Sequence, residues 1–270
     1  MDILAEIGNS RKDNLHSHTQ FCDGRAQMDD FVREAVAESF THYGFSPHSP
    51  IPMESPCNMS REDVPLYFAE FNRLKKEWGD KIKLYASMEI DYLGDEWGPA
   101  NSYFATLPLD YKIGSVHFIP SDVGYIDVDG SFLNFKAKMS NYFHDDIRYV
   151  VETFYAQSTR MLEAGGFDII GHFDKIGHNA GHYKEGIEQE SWYKTLVYDL
   201  MDLIISRKVI VEINTKAWID HHRMFPGVSW ISYLLDHNVP IVVNSDAHYP
   251  MLINASREVA FGFIDSDRGK

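Results

Sequence analysis

The sequence is poor in cysteine and in long apolar runs. Its 270 residues include two cysteines, Cys22 and Cys57, so no disulfide framework is predicted and a reducing, cytoplasmic compartment is expected. The sequence contains no run of about 18 apolar residues, which argues against a membrane span. The first residues lack a basic stretch followed by an apolar core, so no signal peptide is predicted.

Basic side chains are also scarce, because 25 Lys and Arg face 40 Asp and Glu, for a net charge of −15. Broad nucleic-acid binding requires many cations to neutralise phosphates, so nucleic acid is not an expected partner. A small phosphorylated substrate remains compatible with this charge, since bound cations can dominate the local field. The composition does not indicate an oligomeric state.

Short apolar runs alternate with helical patterns along the whole chain, of which 44% is hydrophobic. We predict strands at Asp13–His18, His42–Phe45, Ile82–Asp91, Tyr111–Phe118, Phe167–Gly171, Val209–Asn214 and Pro240–Asn244. Helical periodicity is found over 29–40, 62–78, 141–164, 190–207 and 228–237. In the segment 190–207 the apolar face is predicted to comprise Trp192, Leu196, Leu200, Leu203 and Ile204.

This alternation predicts an α/β fold in which helices cover a parallel sheet. Seven strands of this kind fit a barrel, closed or slightly open. No linker or repeat interrupts the pattern, so we predict a single domain over residues 1–270.

Nine side chains that favour divalent cations lie at or near the carboxyl ends of these strands, where (β/α) barrels place their active sites. They are His16, His18, Asp23, His48, Glu89, His117, His172, Asp246 and His248. Each alone has an ordinary alternative: a strand or loop histidine, or a turn-forming aspartate beside glycine. Together they account for six of the 13 histidines, and they predict one multinuclear metal site.

Glu89 is the most informative member, because it lies inside the apolar run SMEIDYL. A carboxylate in such a strand is costly unless it is paired or coordinated. Its central position makes it the expected bridge between ions. Asp91, on the same face of the strand, is a candidate for orienting a ligand.

Imidazoles and carboxylates without thiolates suit Zn, Fe or Mn, and nine ligands exceed the need of one ion. We therefore expect two or three divalent transition metal ions and metal-assisted hydrolysis. Cys22 is near the ligand candidates in sequence but is expected to stay a bystander.

The order HxH, Asp, His, Glu, His, His and DxH resembles the polymerase-and-histidinol-phosphatase family, called PHP, from about residue 14 to 250. The strings LHSHTQFCDG, GFSPHSPIP, LDYKIGSVHFI, FDIIGHFDKI and SDAHYP resemble its histidinol-phosphate phosphatases in particular. The resemblance implies a distorted (β/α)7 barrel with the metal site at the carboxyl ends of its strands. It also implies hydrolysis of L-histidinol phosphate in histidine biosynthesis, by a hydroxide held between metal ions.

The resemblance further implies how the nine ligands share three ions. One ion would be held by His16, His18, Glu89 and Asp246. A second would share Glu89 and add His117 and His172, and the third would be held by Asp23, His48 and His248.

Phosphate contacts are expected from basic side chains, and the candidates are Arg223, Lys216 and Arg25. Each has the alternative of an ordinary surface cation. His178, His182, His221 and His222 follow predicted strand ends, so they are candidates either for substrate contacts or for surface positions.

Two alternatives to this function remain open at this level. One is a PHP phosphoesterase that acts on another small phosphate or a nucleotide, with the same metal site. The other is a metal-binding module without catalysis, which the complete ligand set disfavours.

Overall fold

The computed structural model describes residues 2–8 and 11–268, so the predicted domain 1–270 extends beyond the described residues at both ends. The strands within those ranges are β1 Asp13–Asn14, β2 His42–Phe45, β3 Lys83–Ala86, β4 Glu89–Asp91, β5 Ile113–Ser115, β6 Phe118–Ser121, β7 Gly124–Asp127, β8 Ile169–Ile170, β9 Ile210–Asn214 and β10 Ile241–Asn244. The helices are α1 Ile3–Ile7, α2 Met28–Ala37, α3 Val64–Trp78, α4 Ser102–Ala105, α5 Phe132–Tyr142, α6 Ile147–Ala164, α7 Ile176–Tyr183, α8 Ser191–Arg207, α9 Trp218–His221, α10 Val228–Asp236 and α11 Arg257–Arg268. Short 3-10 turns lie at Ile187–Gln189 and Pro250–Leu252.

Two parallel sheets form the centre of the α/β fold. One has the order β1-β2-β3, the other has the order β10-β9-β8-β5-β4, and an antiparallel hairpin, β6-β7, stands apart. Isolated parallel bridges join Ser17 to Ala247 and His48 to Glu89. Ser17 and Ala247 follow β1 and β10, and His48 follows β2, so the carboxyl ends of strands from both sheets meet in one region.

The predicted parallel α/β class is confirmed, whereas several strand bounds were wrong. The predicted strand Ile82–Asp91 is two strands, β3 and β4, because Ser87 and Met88 leave one sheet before the chain joins the other. The sequence does not predict the hairpin β6-β7 or the helices α1, α4, α5, α7, α9 and α11. Polar residues break the apolar pattern of α5, and histidines break that of α7.

Helices α6 and α8 pack against each other and cover one face of the larger sheet. Helix α6 begins where Asp146 accepts a hydrogen bond from the Tyr149 amide, and it ends at Gly165 with φ of 68°. In α8 the buried residues are Tyr193, Val197, Leu200, Met201 and Ile204. The predicted face was therefore rotated by about one residue, because Trp192, Leu196 and Leu203 are only partly buried beside the core.

The part of the chain that the structure describes contains no helix that is both long and apolar enough to cross a membrane.

Candidate metal centre

Buried hydrogen bonds at the end of β1 position the first two histidines, His16 and His18. The Leu15 amide donates to Asn244 Oδ1 at 2.8 Å, and the Asn14 side-chain amide donates to Ser245 Oγ at 2.8 Å. These bonds tie the segment after β1 to the end of β10. His16 and His18 are consequently buried, with 0% and 1% exposure. Both rings lie 2.9–3.9 Å from carboxylate oxygens of Glu89 and Asp246.

Glu89 lies at the centre of the cluster, buried with 1% exposure at the start of β4. Its Oε2 is 3.1 Å from His48 Nδ1 and 3.3 Å from His16 Nε2. Its Oε1 is 2.8 Å from His172 Nε2 and 3.4 Å from His117 Nε2. His18 Nε2 also lies 3.6 Å from Oε2. The two oxygens thus face different sets of imidazoles, which is the arrangement required of a carboxylate that bridges two ions.

Asp246 and Asp23 form the other side of the cluster. Asp246 Oδ1 is 2.9 Å from His18 Nε2 and 3.6 Å from His248 Nδ1. Asp23 Oδ1 is 3.3 Å from His248 Nε2, 3.5 Å from His18 Nδ1 and 4.0 Å from His48 Nε2. Asp246 has φ of +49°, a left-handed conformation that is uncommon outside glycine and that aims its carboxylate into the cluster.

These residues fit metal ions better than they fit one another. His16 Nε2, His18 Nε2, His48 Nδ1 and Asp23 Oδ1 are buried atoms without a hydrogen-bond partner among the described residues. Buried polar atoms are normally satisfied, so four such atoms in one cluster need an explanation. Three overlapping sets have ligand atoms that lie within 4.8 Å of one another: His18, Asp23, His48 and His248; His16, His18 and Glu89; and His48, Glu89 and His117.

The predicted ligands are thus brought together, and the distances among them allow more than one grouping. His48 Nδ1 is nearer to Glu89 than its Nε2 is to Asp23, at 3.1 Å against 4.0 Å. His18 belongs to two of the three sets. The assignment of each ligand to an ion stays a prediction.

A second layer of carboxylates orients the histidine rings. His16 Nδ1 is 2.7 Å from Glu212 Oε1, and His117 Nδ1 is 2.7 Å from Asp91 Oδ1. Such contacts fix the tautomer of a ligating imidazole and leave its other nitrogen free for a metal. Glu212 was not singled out from the sequence, although a glutamate in the apolar run VIVEIN was a usable signal.

The charges of the central carboxylates follow from these neighbours. Burial would raise the pKa of Glu89, but His16, His117 and His48 hold that pKa well below its ordinary value. Burial would likewise raise the pKa of Asp246, and Lys216 leads the cations that hold it well below its ordinary value. Both carboxylates are therefore ionised at neutral pH, as ligation requires.

Cys22 lies beside the cluster without joining it. Its Sγ is 3.5 Å from His18 Nδ1. Burial, with the nearby Asp23 carboxylate, raises the pKa of the Cys22 thiol to about 12. The thiol is therefore protonated at neutral pH, which agrees with the prediction that it is a bystander.

A cavity of about 600 Å³ opens onto the cluster, a volume typical of small-ligand sites. Its lining includes six of the nine predicted ligands: Asp23, His48, Glu89, His117, Asp246 and His248. The lining also carries three lysines, Lys138, Lys175 and Lys216. Carboxylates and aromatic rings complete it, among them Glu54, Asp127, Asp129, Tyr125 and Tyr142.

Two of these lysines, Lys216 and Lys175, are paired with carboxylates that line the cavity. Lys216 Nζ is 3.3 Å from both Asp246 Oδ1 and His248 Nε2. Lys175 Nζ is 2.8 Å from Asp129 Oδ2. Burial lowers the pKa of Lys175, but Asp129, Asp246 and Glu89 outweigh that effect and raise it, so the side chain is charged. Lys175 was missed at the sequence level, because no pattern separates a lysine after β8 from a surface lysine.

The other two cations predicted to bind phosphate, Arg223 and Arg25, do not line the cavity. The Arg223 guanidinium donates to Glu188 at 2.7 and 2.9 Å and to Asp174 at 3.1 Å, and Arg223 does not line the cavity. Arg25 is exposed, and its backbone amide donates to the His248 carbonyl at 2.8 Å. Their roles in phosphate binding stay predictions, and the geometry favours Lys216.

A second histidine group, made of His178, His182 and His221, lies outside this cavity. His178 and His182 are on α7, and His221 ends α9. Burial, together with the neighbouring His221 and His182 rings, lowers the pKa of His178 to about 4. His222, the fourth histidine considered with them, is exposed and stacks edge-on against Trp218.

The fold and this cluster define a class, α/β proteins with a candidate polynuclear metal centre at the carboxyl ends of parallel strands. A family model described as PHP domain matches residues 14–216, more than half of the sequence. The chain belongs to the PHP domain family.

Three similar proteins all carry histidinol-phosphatase names. The chain is 23% identical over 258 residues to a Deinococcus radiodurans protein named probable histidinol-phosphatase, with 93% of this chain and 89% of that protein covered. The HisK structure of Listeria monocytogenes matches with a TM-score of 0.82 at 18% identity, covering 92% of this chain and 99% of that one. The histidinol phosphate phosphatase of Lactococcus lactis, solved with Zn, L-histidinol and phosphate, matches with a TM-score of 0.70 at 21% identity, covering 95% and 94%. At these identities the structural matches establish a shared fold.

Proposed function

We propose that this protein is a metal-dependent phosphomonoesterase that hydrolyses L-histidinol phosphate to L-histidinol and phosphate, a step of histidine biosynthesis. The observation that carries the proposal is the buried Glu89, whose two oxygens face four imidazoles at 2.8–3.4 Å beside a cavity that contains Lys216. The family and the names of the similar proteins support the same activity.

Two or three Zn, Fe or Mn ions would be held by the nine ligands, with Glu89 shared between two of them. His16, His18 and Asp246 would complete one site, and His117 and His172 another. Asp23, His48 and His248 would hold the third ion. Bound ions of this kind lower the pKa of a water toward about 7 and offset the charge of a phosphoryl group.

The remaining polar residues have definable tasks in this proposal. Glu212 and Asp91 keep the rings of His16 and His117 in one orientation, since each accepts from an Nδ1 at 2.7 Å. Lys216 and Lys175 bring positive charge to the cavity, where phosphate oxygens would accept hydrogen bonds from them. We assign the phosphate to Lys216 first, because its ammonium lies 3.3 Å from two predicted ligands.

The organic part of the substrate requires different groups, because lysines and metals contact only the phosphate. Histidinol phosphate carries a cationic amine and an imidazole. Carboxylates such as Glu54 and Asp127 line the cavity and suit the amine, while the Tyr125 and Tyr142 rings suit the imidazole.

We also infer that the parallel strands form a distorted seven-stranded barrel within one domain, in which the consecutive strands β3 and β4 share one strand position. The bridge between Ser17 and Ala247 links the ends of β1 and β10, and the bridge between His48 and Glu89 links the end of β2 to the start of β4. Those two links supply neighbours at both edges of the larger sheet. A cytoplasmic location agrees with two free cysteines, Cys22 and Cys57, and with a biosynthetic role.

The direct test is phosphate release by metal-loaded protein from histidinol phosphate, p-nitrophenyl phosphate and a nucleoside monophosphate. We expect kcat/KM for histidinol phosphate to exceed the other two by at least about 100-fold, because a wrong substrate leaves cavity polar groups unpaired. Equal turnover of the three would identify a general phosphoesterase. Turnover of none, with metal fully bound, would identify a binding module.

A further inference from the structure

Three histidines outside the candidate metal centre converge on one point. One ring nitrogen from each of His178, His182 and His221 lies within 4.8 Å of the others. The ring centroid of His178 is 4.7 Å from that of His182 and 4.5 Å from that of His221. No hydrogen bond joins their ring nitrogens to another residue among those the structure describes.

Local structure explains why the three rings meet. His178 and His182 are four residues apart on α7, so both point from one face of that helix. This i, i+4 spacing is one that helices use to present two imidazoles to a single metal ion. His221, at the end of α9, supplies the third ring from a segment more than 35 residues away in the chain.

The surroundings tolerate a cation at this point. Arg223 is close enough to His178 to act on it electrostatically, and alone it would repel a metal ion. Its charge is offset by Glu188 and Asp174, at 2.7 and 3.1 Å. Asp129 exerts an attractive effect at the same place.

We propose that His178, His182 and His221 form a separate binding site for one divalent transition metal ion, with Zn²⁺ the expected occupant. Three neutral imidazoles are a set that Zn²⁺ accepts, with a water completing four-coordination. His182 and His221 are exposed, so the ion would be reached from solvent. The site goes beyond the phosphatase function and does not depend on it, since none of its residues lines the cavity.

An ion at this site would fasten α7 to α9. Helix α7 begins directly after Lys175, and α9 begins two residues after Lys216. The ion would therefore cross-link the two segments that carry the cavity lysines, and it would stabilise the folded protein by an amount that grows with the ratio of free ion to its dissociation constant.

The test counts zinc in protein that has been stripped with chelator and then reloaded with ZnCl₂. We expect His182→Ala and His221→Ala each to bind one equivalent fewer than the wild type, with phosphate release from histidinol phosphate unchanged. His222→Asn is the matched control, because it removes a neighbouring exposed imidazole, and asparagine tolerates the left-handed backbone there, with φ of 50°. It should bind as much zinc as the wild type.

A second readout localises the ion in the unaltered protein. Diethyl pyrocarbonate modifies accessible histidines, and mass spectrometry should show that Zn²⁺ protects His182 and His221 but leaves His222 reactive. Equal zinc content in the wild type and His182→Ala, or modification of His182 unaffected by zinc, would overturn the proposal. Loss of more than one equivalent together with activity would overturn the claim that the site is separate.

Discussion

Several buried side chains at the centre of this protein have polar atoms without a partner among the described residues. His16 Nε2, His18 Nε2 and His48 Nδ1 are buried without hydrogen-bond partners, although carboxylate oxygens lie 2.9–3.3 Å from them. An unsatisfied buried polar atom costs about 1–3 kcal/mol. The cluster is therefore unfavourable for the fold alone, and bound metal ions would supply the missing partners.

Substitution of Arg223 should lower stability, whereas substitution of Lys216 should lower activity. Arg223→Ala leaves the buried Asp174 and the partly buried Glu188 without their cation, so we expect the free energy of unfolding to fall by about 3 kcal/mol. Lys216→Ala should instead lower kcat/KM by about 10- to 100-fold, as expected for a lost charged hydrogen bond. The stability of metal-loaded protein should change little, because ions at Asp246 would replace the cation that this carboxylate loses. Urea unfolding and steady-state kinetics of both variants check this.

The reverse pattern would restore Arg223 to the phosphate role predicted from the sequence. A stable Arg223→Ala with kcat/KM reduced by a comparable factor would mean that the guanidinium leaves Glu188 when substrate binds. Unchanged kinetics in Lys216→Ala would remove that lysine from the phosphate site.

Which residues could be predicted depends on how far their partners lie in the sequence. The nine candidate ligands are recognisable because each follows or lies in an apolar run. Arg223 and Lys175 are not, since their roles depend on Asp174, Glu188 and Asp129, which come from other segments. Sequence position alone cannot reveal that one cation is neutralised while another faces the cavity.

Strand β2 packs tightly, at Gly44, against the segment that leads to His16 and His18. A Cβ added at Gly44 would lie 2.0 Å from the Tyr111 hydroxyl and 3.2 Å from Leu15 Cα. That hydroxyl donates to the Leu15 carbonyl, directly before His16. The glycine thus lets Tyr111 support the segment that carries the first two histidines.

Gly44→Ala should therefore destabilise the protein by about 1–3 kcal/mol through overpacking and should also lower metal content. Gly262→Ala is the matched control, because Gly262 lies in α11 with no atom within 4 Å of an added Cβ. Alanine there should raise the free energy of unfolding by up to about 1 kcal/mol. Urea unfolding of metal-free protein checks both, and an equally stable Gly44→Ala would contradict the packing described.

Element types were more predictable than their bounds. Strands β2, β9 and β10 and helices α8 and α10 lie within two residues of the predicted segments, because each has a continuous apolar pattern. Apolar periodicity predicts a single strand over 82–91, because it does not report a change of sheet. Helix α7 was missed since its sequence, IGHNAGHY, carries two glycines and two histidines in eight residues.

At the scale of the whole molecule, the acidic charge and the candidate metal centre are complementary. The net charge is −15, yet the cavity gathers Lys138, Lys175 and Lys216 around the carboxylates. Divalent ions at nine ligands would make this region locally positive, which a phosphate requires and an acidic surface alone would oppose. We therefore expect phosphate hydrolysis only while metal ions occupy this centre, with Glu89 shared between two of them.

The most direct test measures metal content and phosphate release from histidinol phosphate on the same samples, before chelation, after it and after metal is restored. For the wild type we predict that activity disappears as the centre is emptied and returns with Zn, Fe or Mn. Glu89→Gln should hold fewer ions and lose activity by more than about 100-fold, the upper range for residues that merely support metal ligands. Full activity in metal-free protein, or a fully metallated and active Glu89→Gln, would contradict the account.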